Sequence, residues 1–215
     1  MSNRYALILA AGCAAVLAAA FGAAPALAVT TWTIRPGGAV TATSSGRFTL
    51  KDTTTGTVLA CLSATASGTL KRGTGLPGSR AGSLSAVGFT TCTSPGVSDS
   101  DFRFTLQATD LPWHVNLSSY DAATGVVTGT ISHIQIVLSA NGCTAVIDGT
   151  SGTASDGRVR FTYADSTGRL TVLLTTGNLH FWNVSSGCLG LINSGDRARL
   201  GATFTVSPKQ DITSP

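Results

Sequence analysis

The chain has 215 residues, with 14 Lys and Arg against 10 Asp and Glu and a net charge of +4. It contains no Glu and only three Lys, and it is rich in the Thr, Val and Gly that favour strands and turns over helices. This composition indicates an all-β protein and argues against a disordered one, and the small net charge argues against a nucleic-acid partner.

The first 28 residues are a predicted signal peptide. Arg4 gives a basic start, residues 6–24 are almost wholly apolar, and Ala26-Leu-Ala28 is a small-x-small cleavage pattern. We therefore predict cleavage after Ala28, secretion, and no membrane association of the mature chain. Acylation at Cys13 is the alternative, and the apolar residues that follow Cys13 disfavour it.

Short stretches with alternating apolar residues follow, separated by turn residues. Their number, about ten to twelve, predicts an antiparallel β-sandwich or barrel in one domain, residues 29–207. The polar segment 208–215 lacks strand patterning, so we predict a flexible C-terminal tail. The clearest strand patterns lie at 47–51, 57–62, 101–106, 113–117, 126–139, 158–163, 169–175 and 198–206.

Four cysteines remain in the mature chain, and an even number in an exported protein indicates two disulfides. Segments 82–92 and 177–188 share a pattern that begins Gly, small polar, Leu and ends at Cys. We interpret this as an imperfect internal duplication, with chance similarity as the alternative. Because each half would then be framed by its own pair, we predict the disulfides Cys61–Cys92 and Cys143–Cys188.

Residues 177–188, GNLHFWNVSSGC, contain the candidate ligand-binding residues His180 and Trp182. Strand alternation places these two side chains on one face and those of Leu179 and Phe181 on the other. One interpretation is an aromatic-flanked ligand or proton-transfer site. The other is a half-exposed strand of the scaffold, which we favour because neither a second histidine nor an acid lies nearby in sequence.

The other polar patterns give weaker signals. His114 and His133 are predicted on solvated strand faces, and the histidines lack the H-x-x-x-H spacing of a metal site. Two alternating arginine pairs indicate either a basic stripe for an acidic polymer, such as one of the cell wall, or a solvated face. The sequence also lacks nucleotide-binding and nucleophile-elbow motifs, so we predict no catalytic residue and no cofactor. The arginine pairs are Arg158 with Arg160 and Arg197 with Arg199.

The chain resembles an uncharacterised family of small secreted proteins of high-GC Gram-positive (actinobacterial) bacteria. The resemblance rests on WTIRPGG (32–38), DTTTGTVLAC (52–61), SGTLKRGTGLPG (67–78), LPW (111–113), YDAATGVVTGTI (120–131) and GNLHFWNVSSGCLGLINSGD (177–196). It implies export and a β fold with two disulfides. Because no activity is assigned to the family, it implies no catalytic residue.

These observations predict a secreted, non-enzymatic β-protein that acts at the cell surface or in the medium. A binding module for an apolar small molecule or a glycan is the first alternative, and an internal cavity lined by aromatic residues would favour it. A secreted hydrolase is the second alternative, and it would need a cleft where His180 or His114 meets an Asp and a Ser.

Overall fold

A computed structural model describes residues 31–94 and 103–215 of the chain, so the predicted signal peptide lies outside the described residues. Within these ranges the regular structure is β-strand apart from one 3₁₀ turn, Ser186–Cys188. The strands are β1 (Thr31–Arg35), β2 (Gly38–Ser44), β3 (Phe48–Asp52), β4 (Val58–Leu70), β5 (Gly73–Pro77), β6 (Gly82–Thr93), β7 (Arg103–Thr109), β8 (Trp113–Asp121), β9 (Val126–Ala140), β10 (Thr144–Asp148), β11 (Gly157–Ala164), β12 (Arg169–Val172), β13 (His180–Trp182), β14 (Ala198–Ser207) and β15 (Asp211–Thr213).

Eight strand positions close into an antiparallel barrel. This confirms the all-β prediction, and of the two predicted architectures, sandwich and barrel, the structure has the barrel. Neighbours around the wall also follow one another along the chain: β2 with β3, then β4, β6, β7 with β8, β9, β11, β12 and β14. Strand β14 closes the circle by pairing with both β2 and β3. The described strands outnumber the predicted ten to twelve because two wall positions are each built from two strands, and because short strands lie outside the wall.

The alternation of apolar and polar residues determines which side of the wall faces inward. In β11, Val159, Phe161 and Tyr163 are buried, whereas Arg158 and Arg160 are exposed. Phe161 pairs across the sheet with Gly129 of β9, and a Cβ at that glycine would lie only 2.5 Å from the Phe161 ring. The missing side chain therefore makes room for the aromatic ring inside the barrel.

A three-stranded sheet of β15, β1 and β5 covers one end of the barrel. Trp32 and Ile34 of β1 and Ile212 of β15 are buried in the same hydrophobic core as the inward-facing wall residues. At the opposite end β10 and β13 extend the wall, because β10 pairs with β9 and β13 forms a bridge to Arg197 beside β14.

The prediction of a flexible tail at 208–215 is wrong. Asp211–Thr213 forms strand β15 and pairs with β1 in antiparallel register, and Gln210 and Ile212 are buried. The segment has a single large apolar residue, so alternation could not reveal it as a strand. Its pairing partner lies at the far end of the chain, which local patterning does not report.

Both predicted disulfides are present. Cys61 and Cys92 face each other on neighbouring strands β4 and β6, with Cα atoms 3.9 Å apart. Cys143 follows the β9–β10 turn and bonds to Cys188 in the 3₁₀ turn. The two matching sequence segments nevertheless have different structures, since 82–92 lies in one long strand and 177–188 contains a short strand and a turn.

Candidate functional site

His180 and Trp182 lie half-buried on β13, while Leu179 and Phe181 on the opposite face are fully buried. The predicted division of the two faces is therefore confirmed. The His180 and Trp182 rings are 5.9 Å apart between centroids. Both side chains contact the same main-chain oxygen: the Trp182 indole N–H donates to the Gly149 carbonyl at 3.2 Å, and His180 Nδ1 lies 3.2 Å from it.

Hydrogen bonding assigns the His180 tautomer. Nδ1 also lies 2.8 Å from the Asn178 carbonyl oxygen. Since both of its neighbours are carbonyl oxygens, which only accept, Nδ1 carries the proton and donates. These bonds tie the ring to main chain, and within residues 31–94 and 103–215 no carboxylate is hydrogen-bonded to His180 as the acid of a catalytic triad would be. A ligand-binding role for His180 and Trp182 stays a prediction.

The side chains of His180 and Trp182 contact the loop that follows β10. The buried carboxylate of Asp148 holds this loop by hydrogen bonds. Its Oδ1 accepts from the main-chain N–H groups of Gly149, Asp156 and Gly157, and its Oδ2 accepts from the N–H of Ser155 and the amide of Gln135. A carboxylate with this many donors is fully satisfied and acts as a structural centre. The surroundings of His180 and Trp182 are thus a hydrogen-bonded scaffold.

The interior of the barrel contains an apolar cavity of about 80 Å³. Four aromatic side chains contribute to its wall: Phe48, Phe89, Trp113 and Phe204. The remaining lining residues are aliphatic except Thr65. The Trp113 indole N–H points away to the Thr109 carbonyl at 3.1 Å, which leaves the ring itself as an apolar surface.

A second cavity of about 60 Å³ lies next to the first, and five residues line both: Ala42, Ala66, Leu84, Val115 and Leu170. It extends toward Ile34 and Ile212, at the end covered by the three-stranded sheet. Each volume alone is about half of the roughly 150 Å³ of an apolar cavity that stays dry and binds benzene, so a ligand of that size would occupy both.

The polar side chains beside the second cavity are already paired. The Tyr163 phenol donates to the Gln210 carbonyl at 2.9 Å and accepts from the Gln210 N–H at 2.8 Å. Burial raises the pKa of Tyr163, so the phenol stays protonated. The Gln210 amide accepts from Gly37 N–H and donates to the Pro208 carbonyl. These groups therefore close the cavity and do not offer free hydrogen-bonding capacity.

The structure brings together His114 and His133, which the sequence analysis placed on separate solvated faces. Their ring centroids are 4.7 Å apart on the outer surface of β8 and β9. Burial, followed by the charges of Arg80 and His133, lowers the pKa of His114. His114 pairs with Ser132 in the β8–β9 hairpin, and the bulge at the next residue brings His133 beside it.

Two carboxyl groups meet where the β3–β4 turn contacts the segment before β14. Asp52 is fully buried, and its Oδ1 accepts from the N–H groups of Thr54 and Thr55. Burial, followed by the nearby Asp196 carboxyl, raises the pKa of Asp52, and its buried Oδ2 has no hydrogen-bond partner among the described residues. Burial and a neighbouring carboxyl group both disfavour the charged form, so the protonated form of Asp52 is favoured.

The remaining predicted polar features are dispersed. Arg158, Arg160 and Arg197 are exposed, whereas Arg199 is half-buried and donates to the Gly177 carbonyl at 3.4 Å. Among residues 31–94 and 103–215, we find no group of three or more His, Cys, Asp or Glu side chains placed to share a metal ion. The same part of the chain contains no helix long and apolar enough to cross a bilayer.

Comparison of the chain with protein-family models, with curated proteins and with solved structures found no match.

Proposed function

We propose that this is a secreted, non-enzymatic binding protein whose barrel holds a small apolar molecule. The observation that carries the proposal is the pair of adjoining apolar cavities, lined by Phe48, Phe89 and Trp113 among others. Eight-stranded barrels have an interior just wide enough to be filled by side chains or to hold one small ligand. Here the side chains leave space, and that space is apolar.

Secretion is supported from two directions. The first 28 residues have the pattern of a signal peptide. The two disulfides, Cys61–Cys92 and Cys143–Cys188, are typical of proteins that fold in an oxidising compartment.

The cavity chemistry narrows the ligand class. A glycan needs hydrogen-bonding partners, and the polar groups beside the second cavity, on Tyr163 and Gln210, are already paired within the protein. A charged head group would be buried without a counter-ion, at a large cost in free energy. We therefore propose a compact hydrocarbon-like molecule, about the size of a single benzene ring.

A cavity-filling substitution tests the proposal. Ala66 lines both cavities, so Ala66→Leu places three extra carbons in the shared space. Ala86 is exposed on the outer face of β6, so Ala86→Leu is a matched control with the same chemical change. Benzene serves as the probe, and thermal unfolding is measured with and without it.

The expected result follows from ligand linkage, because a molecule that binds only the folded state raises its stability. Benzene should raise the Tm of the parent and of Ala86→Leu, and it should have little effect on Ala66→Leu. Equal shifts in all three proteins, or none in the parent, would contradict binding in the cavity. Trp113 fluorescence gives an independent reading, because this ring lines the first cavity.

A further inference from the structure

The outer wall carries a β-bulge at His133. Along β11, Gly157 pairs with Ile134 while Arg158 pairs with Ser132, so His133 is an extra residue in β9. Ile131 and Ile134 on either side are both buried, and His133 is exposed. The bulge thus turns His133 outward without moving its apolar neighbours from the core.

The backbone at His133 is strained. Its φ of 65° lies in the left-handed region, which residues with a side chain rarely adopt. Bulges and strained residues are over-represented at binding sites, where they aim a side chain. Histidine, like Asn and Asp, is among the side-chain-bearing residues that tolerate this region best, so the backbone suits His133 while its exposed side chain is left available for binding.

The bulge aims His133 at His114 on the neighbouring strand. Their ring centroids are 4.7 Å apart and the ring planes are inclined by 55°. Two imidazoles bound to one metal ion at about 2.0–2.1 Å, with an angle of about 90–110° at the metal, bring their centroids to about 4.6–5.3 Å. The observed separation falls in this range.

We propose that His114 and His133 form a two-histidine site for one divalent late transition metal ion, Cu²⁺ or Zn²⁺, on the outer face of the barrel. Imidazole nitrogen is a preferred ligand of both ions, and Cu²⁺ binds the more tightly of the two. Water molecules complete the coordination, which leaves positions open to an external ligand.

The surrounding charges shape the site. Arg80 lies near His114 and places a positive charge beside the site. Arg158 pairs with Ser132 across the sheet and adds a second positive charge to this region. Because both neighbours are cationic, the metal binds more weakly here than in a site with carboxylate ligands.

The test is Cu²⁺ titration of untagged protein in a non-coordinating buffer, followed by calorimetry and electron paramagnetic resonance. The chain has three histidines, so His180→Gln is the matched control. His114→Gln and His133→Asn remove the proposed ligands, and Asn tolerates the left-handed backbone at position 133. Circular dichroism of each variant checks that it is folded.

The proposal predicts one Cu²⁺ per chain with hyperfine coupling to two nitrogens. Losing either histidine removes the intramolecular second contact and should weaken binding by about 10²-fold or more. His180→Gln should bind like the parent. A parent that binds no Cu²⁺, or binding that survives unchanged in folded His114→Gln and His133→Asn, would overturn the proposal.

Discussion

Replacement of Asp165 by Asn should stabilise the protein above neutral pH and leave it unchanged in acid. Asp165 lies in the turn after β11, and its Oδ1 accepts from the N–H of Ile212 in β15 at 3.3 Å. Burial raises its pKa from 3.8 to about 6, with a smaller contribution from the Asp211 charge, while the Ile212 N–H and Lys209 oppose the rise. The folded protein therefore binds the Asp165 proton more tightly than the unfolded chain does.

The direction in which stability changes with pH follows from proton linkage. A carboxyl whose pKa is raised by folding contributes stability that is fully present below pH 3.8 and is lost as the pH rises through about 6. Converted at about 1.4 kcal/mol per pKa unit, the shift corresponds to about 3 kcal/mol. Because Asp165 is partly exposed and screened by solvent, we expect a loss of about 1–2 kcal/mol. Asn keeps the oxygen acceptor for Ile212 and has no charge to bury.

Urea unfolding of the parent and Asp165→Asn at pH 4 to 8 measures the effect. The free energies of unfolding should converge as the pH falls to 4 and below, and the variant should be more stable by about 1–2 kcal/mol at pH 8. Asp121→Asn is the control with the opposite sign, because hydrogen bonds from Thr124 and Ala123 lower the pKa of this exposed carboxyl. An Asp165→Asn variant that parallels the parent at every pH would refute the reasoning.

Four further predictions concern the stability of the fold and the processing of the N-terminus. His180→Ser should change the free energy of unfolding by no more than about 1 kcal/mol in urea unfolding, because the imidazole is half-buried and bonded to main-chain carbonyls. Cys188→Ser should cost about 2–5 kcal/mol in the same assay, because it removes a native disulfide. Asp52→Asn should stabilise the fold above neutral pH, since a neutral amide at this buried position has no charge to desolvate, and urea unfolding against pH checks this. N-terminal sequencing of the secreted form should begin at Val29.

The fold was predictable where local pattern and pairing agree. The alternating pattern at 158–163 lies within β11, where Val159, Phe161 and Tyr163 are buried, and the pattern at 126–139 lies within β9. The cysteine pairing was also predicted correctly, although segments 82–92 and 177–188, which motivated it, have different structures.

The candidate site was harder to predict from the sequence, because each part of it depends on three-dimensional packing. The apolar cavity depends on the volumes of side chains from many strands, such as Ala42, Ala66 and Leu84, and strand patterning does not report volume. Strict alternation also fails at a bulge, so it could not place His133 beside His114.

The most direct measurement of the central claim is a search for the ligand itself. Protein secreted into its own culture medium is purified, extracted with an organic solvent, and the extract is analysed by gas chromatography and mass spectrometry beside Ala66→Leu and Ala86→Leu prepared in the same way. A small apolar compound recovered from the parent and from Ala86→Leu, and missing from Ala66→Leu, is the predicted result. Its recovery in equal amounts from all three proteins, or from none of them, would contradict the proposal that the barrel interior holds a ligand.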